Sequence, residues 1–124
     1  MDTSGSVDEF ILSQVAAEIC GAIEQFHGRL DCTLVFFDRV TYPEIPFHTI
    51  QDISGAVPQG GGGTDFRCIF RHAGHKQRQK SVSSIVIFTD GDGTYPDNWN
   101  HNIPVLWIIH NKTAIPPFGN VARL

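Results

Sequence analysis

Ser84-Ile85-Val86-Ile87-Phe88-Thr89-Asp90-Gly91-Asp92-Gly93-Thr94 is the stretch that decides the fold class. Residues 84–89 are apolar and β-branched almost throughout, the composition of a strand covered on both faces. Strands of that kind belong to parallel sheets with helices packed on each side. This one runs out into carboxylates and glycines. Open α/β sheets place their ligand sites in the crevice beyond the carboxyl ends of their strands. One stretch therefore predicts both a fold class and the edge where function should lie.

Downstream, Tyr95 to Asn102 reads as a loop. Pro104 then introduces a second buried strand, Val105-Leu106-Trp107-Ile108-Ile109. The tail from Ala114 to Leu124 is irregular and has room for a short strand or packed segment. Upstream, Asp65 to Lys80 reads as a helix with Phe66, Ile69, Phe70 and Ala73 inward and a basic polar end. His72 and His75 share a helix face. A zinc site would need a third ligand, and none is suggested nearby, so they read as surface histidines. Before this helix comes Gln59-Gly60-Gly61-Gly62-Gly63-Thr64-Asp65. No Gly-Lys-Ser/Thr follows, which excludes a phosphate-binding loop. A flexible linker is a poor reading, because a hydrophobic helix resumes at once. What remains is a tight loop that presents Thr64 and Asp65 at a helix start, with Thr64 as a metal ligand or as the cap.

Thr33 to Phe37 is another short apolar run and reads as a buried strand. Asp38 and Arg39 end it. Val40 to Ile50 is rich in β-branched and aromatic residues but broken by Pro43 and Pro46, which confines it to an edge. An antiparallel edge strand reached through a tight turn is expected there, followed by one or two helical turns within Gln51 to Val57. Val7 to Phe26 is a helix, with Val7, Ile11, Val15, Ile19, Ile23 and Phe26 on one stripe. Asp8 and Glu9 suit its first turn, and Gly28 is a natural stop.

In front of that helix stands Met1-Asp2-Thr3-Ser4-Gly5-Ser6. Asp-x-Ser-x-Ser is an oxygen-rich loop suited to a hard divalent cation such as Mg2+. Two hydroxyls can touch the ion while the carboxylate balances charge from behind them. The same residues make a good helix N-cap. On these six residues alone the two readings stand level. Strand, helix and strand alternate along the chain, which predicts an α/β three-layer sandwich with a mostly parallel sheet and an antiparallel edge strand. Right-handed crossovers would bring the Asp2 loop, the glycine loop and the Asp90 loop to one edge. That convergence favours the metal site.

The bulk numbers set limits. At 124 residues and 41% hydrophobic content, residues 1–124 suit a single domain with a real core. A net charge of −4, with only the short run Lys76-Gln77-Arg78-Gln79-Lys80, argues against nucleic acid as the main partner. Three cysteines without a Cys-x-x-Cys spacing argue against structural zinc and a disulfide scaffold, and for a reducing, cytoplasmic compartment. No run is long and apolar enough for a membrane span.

With Asp2-x-Ser4-x-Ser6, Gly63-Thr64-Asp65 and Phe88-Thr89-Asp90-Gly91 in this order, the chain resembles a von Willebrand factor type A (VWA) domain. More narrowly, it is similar to the VWA-like domain at the C-terminus of predicted bacterial metal-dependent peptidases. Asp-Thr-Ser-Gly-Ser, Gly-Gly-Gly-Thr-Asp-Phe, Thr-Asp-Gly, Pro-Val-Leu-Trp and the Pro-Pro-Phe-Gly tail carry that likeness, which covers essentially the whole chain. The resemblance implies a metal-ion-dependent adhesion site (MIDAS) holding Mg2+ or Mn2+. Ser4 and Ser6 would bind through hydroxyls, Thr64 directly in one conformation, and Asp2 and Asp90 directly or through waters. Asp65 and Asp92 have no firm role in the family's pattern. The implied partner is a protein that supplies a carboxylate, with an AAA+ ATPase system as the family's frequent associate.

The start of the chain departs from the family. A central first strand should precede Asp2, where only Met1 stands. The expectation is a longer natural protein, with Met1 at the end of that strand; otherwise a partner or another copy fills the gap. Two other functions compete. Residues 85–94 also match the first motif of haloacid-dehalogenase-type phosphatases, with Asp90 as nucleophile, Asp92 as acid/base and magnesium between them. That motif normally opens its domain and needs a later lysine and acidic pair. The other competitor is a VWA-like domain whose site is vestigial and holds no metal. Peptidase activity within these residues is disfavoured: there is no His-Glu-x-x-His, so any such activity would lie in an upstream domain.

Overall fold

A computed structural model describes residues 1–3, 9–25, 31–53, 55–99 and 101–123. The first helix, α1, runs Glu9–Gln25. On its stripe Val15 is buried and Ile19 packs against the core. Val7 and Phe26 lie outside the described residues. Next come strands β1 (Cys32–Leu34) and β2 (Ile45–Phe47), the short helix α2 (Ile50–Ile53) and the helix α3 (Arg67–Gln79). Strands β3 (Ile85–Thr89), β4 (Val105–Ile109) and β5 (Asn120–Arg123) complete the order.

β1 and β2 pair antiparallel, with Thr33 opposite Pro46. The turn between them is tight: Asp38 N donates to Val40 O at 3.1 Å, and Tyr42 N returns to Phe36 O at 2.9 Å. This is the antiparallel edge that the two prolines predicted. β3, β4 and β5 form a parallel ladder, with Ile87 opposite Trp107 and Trp107 opposite Val121. The irregular tail thus ends in a short strand. Trp107 Nε1 ties it down by donating to Phe118 O at 2.8 Å.

Residues 1–3 join the two ladders. On one side Met1 N donates to Val35 O at 2.7 Å and Thr3 N to Phe37 O at 2.9 Å, while Phe37 N returns to Met1 O at 3.1 Å. On the other side Asp2 N donates to Phe88 O at 2.9 Å. These three residues therefore hold the central position of a mixed sheet in the order β2, β1, residues 1–3, β3, β4, β5. The position that the sequence reading left for a first strand is the one they occupy.

Side chains that alternate along the strands divide the core in two. Leu34, Phe36 and Phe88 face α1 and α2, where they meet Val15, Phe47 and Ile53. Phe37, Ile87, Val105, Trp107 and Ile109 face α3, where they meet Phe66, Ile69 and Phe70. Phe66, Phe70, Tyr95 and Phe118 surround the Trp107 ring with centroids 5.2, 5.8, 5.3 and 6.0 Å away. Phe66, Ile69, Phe70 and Ala73 are all buried, as the helix period predicted, and Cys68 joins them. Burial pushes the Cys68 thiol up to about 11, and the Asp65 carboxylate adds to the shift, which disfavours the thiolate form. Among the described residues no helix is long and apolar enough to cross a membrane.

Candidate metal centre

The sheet's carboxyl edge gathers residues that are far apart in sequence. Asp2 ends the central segment and is 0% exposed. Its carboxylate takes a hydrogen bond from Thr89 Oγ1, at the end of β3, at 2.6 Å to Oδ2. The Thr64 hydroxyl lies over the same carboxylate, 3.2 Å from Oδ1 and 3.4 Å from Oδ2. A buried carboxylate needs such donors, because without them the cost of its charge is several kcal/mol, roughly. Thr89 Oγ1 also accepts from Gly91 N at 3.0 Å, so it links Asp2 to the loop that carries Asp90.

The glycine loop is held in place from two directions. Thr64 O accepts from Thr94 N at 3.2 Å, and Phe66 N donates to Thr94 O at 2.9 Å, which ties the loop to the segment after Asp92. Asp65 N donates to Asp38 O at 2.9 Å. The Asp38 carboxylate, itself buried, accepts from Arg39 N at 2.6 Å, Val40 N at 3.2 Å, Tyr42 Oη at 3.2 Å and Gly62 N at 3.4 Å. Burial pushes this carboxyl up, but the hydrogen bonds outweigh burial and hold it below its ordinary value. Gly60 passes so close that a Cβ there would lie 2.5 Å from Thr3 Oγ1, and its φ of +116° suits glycine. The Thr3 hydroxyl sits between the carbonyls of Phe37 (3.0 Å) and Gln59 (2.5 Å). At Gly93 a Cβ would lie 2.8 Å from Thr64 O. The glycines therefore let two loops close over a third.

Asp90 is half-buried at the same edge, and its Oδ1 accepts from Asp92 N at 2.9 Å. Burial raises the Tyr95 phenol, and the charges of Asp90, Asp92 and Asp2 raise it further. Three carboxylates thus act on one ring, whose hydroxyl donates to Gly91 O at 2.6 Å.

Asp2, Thr64 and Asp90 therefore stand at one edge. Ser4 and Ser6 lie outside the described residues. Asp65 is turned to Arg67, whose Nε and Nη2 each reach its carboxylate at 2.9 Å, and its Oδ1 also accepts from Arg67 N at 3.0 Å. The Arg67 hydrogen bond holds that carboxyl below its usual range. Asp92 is exposed. Thr3, Asp38 and Thr89 were missed as site-building residues. A hydroxyl closing an apolar strand, as in Thr89, is too common a feature to single the residue out. His72 is half-buried and meets Glu44, its Nε2 lying 2.7 Å from Oε1, while Lys76 Nζ reaches Oε2 at 2.8 Å. Among the described residues no three His, Cys, Asp or Glu side chains form a ligand cluster.

The donors present are oxygens: a carboxylate, hydroxyls and a second carboxylate close by. That set fits a hard cation such as Mg2+ or Mn2+ and does not fit zinc or copper. No curated protein and no solved structure gives a match. The family profile described as "VWA-like domain (DUF2201)" matches residues 1–124. With its three-layer α/β fold and three loops meeting at the carboxyl edge, the chain belongs to this VWA-like family.

Proposed function

We propose that this edge is a MIDAS-type divalent-cation site and that the domain is a non-enzymatic protein-interaction module. Asp2, Thr64 and Asp90, with Ser4 and Ser6, would hold Mg2+ or Mn2+. Such an ion, left electrophilic by neutral hydroxyl ligands, supplies a position that a partner's carboxylate completes. One observation carries the reading: Thr64 Oγ1 lies 3.2 Å from Asp2 Oδ1 although 62 residues separate them. A helix cap formed by the first loop gives no reason for a distant hydroxyl to meet that carboxylate. The family's association with AAA+ ATPases makes such a cytoplasmic system the candidate source of the partner.

Isothermal titration calorimetry with Mg2+ and Mn2+ tests the site. Wild type should bind one ion, and Ser4→Ala/Ser6→Ala should lose at least tenfold in affinity, about 1.4 kcal/mol. Equal binding by both proteins sinks the assignment. Asp90→Asn should weaken metal binding without affecting phosphate-ester hydrolysis. A turnover that disappears with Asp90→Asn would favour the phosphatase reading instead.

A further inference from the structure

A second binding feature lies away from the carboxylate edge. Helix α3 on one side and Pro96, Asp97, Asn98 and His101 on the other flank an open groove with a cavity volume of about 510 Å³. Arg67, Arg71, His75 and Arg78 line it from the helix, and Asp97 and His101 line it from the facing segment. Steps of four, four and three residues put the helical set on one face. The opposite face carries Ile69 and Ala73 into the core, while the buried Phe70 also lines the groove.

The charges within the groove are unevenly matched. Arg67 is bound by Asp65 and also lies in the field of Asp97. Among the described residues, neither Arg71 nor Arg78 makes a hydrogen bond or an ion pair. Both are exposed, as are His75 and His101. Here a chain of net charge −4 presents two guanidinium groups that no carboxylate pairs directly, Arg71 lying only in the field of Asp65, and one histidine from each wall.

We propose that this groove binds an extended acidic segment of a partner protein, through Arg71 and Arg78. A guanidinium presents its donors as a planar fork that matches a carboxylate with two parallel bonds. Seven residues of helix separate the two arginines by roughly 10 Å at about 1.5 Å per residue. A chain in the extended polyproline-II form has three residues per turn and rises about 3.1 Å per residue, so side chains three apart share a face and lie roughly 9 Å from each other. The matching motif is therefore acid-x-x-acid. The groove is open to solvent rather than enclosed, which suits a chain lying across it more than a buried small molecule. It is a poor site for RNA. Aromatic faces are the usual platforms on which bases stack, and the nearby Trp99 ring already packs against Phe70 at 5.0 Å and His101 at 4.5 Å. The proposal does not depend on the metal.

Fluorescence anisotropy in EDTA at low ionic strength tests it. The probe is a labelled Gly-Glu-Gly-Gly-Glu-Gly peptide, compared with its Lys-for-Glu counterpart and a short oligouridine. The Glu peptide should bind, the Lys peptide should not, and added salt should weaken binding. Arg71→Glu/Arg78→Glu should reduce affinity roughly tenfold, because two exposed pairs are lost and replaced by repulsion. Lys80→Glu/Lys112→Glu, with the same change in net charge, should leave affinity near the wild-type value. Circular dichroism melting confirms that each variant is folded. Should the charge reversal unfold the chain, Arg71→Gln/Arg78→Gln reads the same loss at smaller amplitude. Equal binding by wild type and the arginine variants overturns the proposal. So does an equal loss in the lysine control, or tighter binding of oligouridine than of the Glu peptide.

Discussion

At the scale of single residues, Thr89 does more than its place in an apolar strand suggests. Its hydroxyl donates to the buried Asp2 carboxylate at 2.6 Å and accepts from Gly91 N at 3.0 Å. Thr89→Val keeps the shape and removes both bonds. The variant should lose about 1–3 kcal/mol of stability, because a buried charge and a buried amide are each left short of a partner. Urea denaturation measures this, and a loss below about 0.5 kcal/mol would show that water replaces the hydroxyl. Asp2 and Thr64 could be picked out as candidates from residue type and order. Thr89 could not, since a hydroxyl at a strand end is common and only its neighbour across the sheet gives it a task. Asp65 illustrates the converse. Its type and position suited a ligand, but Arg67 two residues on gives its carboxylate a local partner.

At the scale of elements, the Asp38 turn and the glycine loop act as one unit. The carboxyl of Asp38 is held below its usual value because hydrogen bonds from Val40, Arg39, Gly62 and Tyr42 outweigh burial. The unfolded chain therefore takes up this proton more readily than the folded one. Stability from Asp38 is complete above the unfolded value of about 4 and is lost as pH falls through the lower folded value. Glu44, held down by Lys76 and His72, and Asp65, held down by Arg67, act in the same direction. Thermal melting should fall steadily below about pH 4. Asp38→Asn should flatten that acid limb and cost about 1–3 kcal/mol at neutral pH. An unchanged acid limb in the variant would show that other carboxylates carry it. The helices and buried strands at this scale were legible because apolar period and β-branched runs reflect local geometry directly. The antiparallel edge was legible from Pro43 and Pro46. The Asp38 clamp was not, because it joins residues 24 apart through a backbone amide, and side-chain pattern carries no trace of that.

At the scale of the whole molecule, Trp107 is the centre of the layer between sheet and α3. It is 0% exposed, ringed by aromatic side chains and bonded to Phe118 O. Trp107→Ala should cost about 3–5 kcal/mol. That is a large share of the 5–15 kcal/mol typical of a domain. Chemical denaturation with tryptophan-independent detection reads the loss, and hydrogen exchange should show β4 and β5 losing protection together. A change confined to β5 would mean that the ring serves only the edge.

Residue order and apolar period by themselves determined the α/β class, the inward faces of α3, β3 and β4, and the oxygen-rich composition of the candidate site. These are local properties, set by propensity and by which side chains must leave water. Only the tertiary structure decided that Met1–Thr3 lies between Phe37 and Phe88, that Thr64 and Thr89 meet over Asp2, and that the arginines of α3 face an open groove with Asp97 and His101 on its other side. Each of those is a pairing between distant segments. Strand order and loop closure create them, and no window of sequence contains both partners.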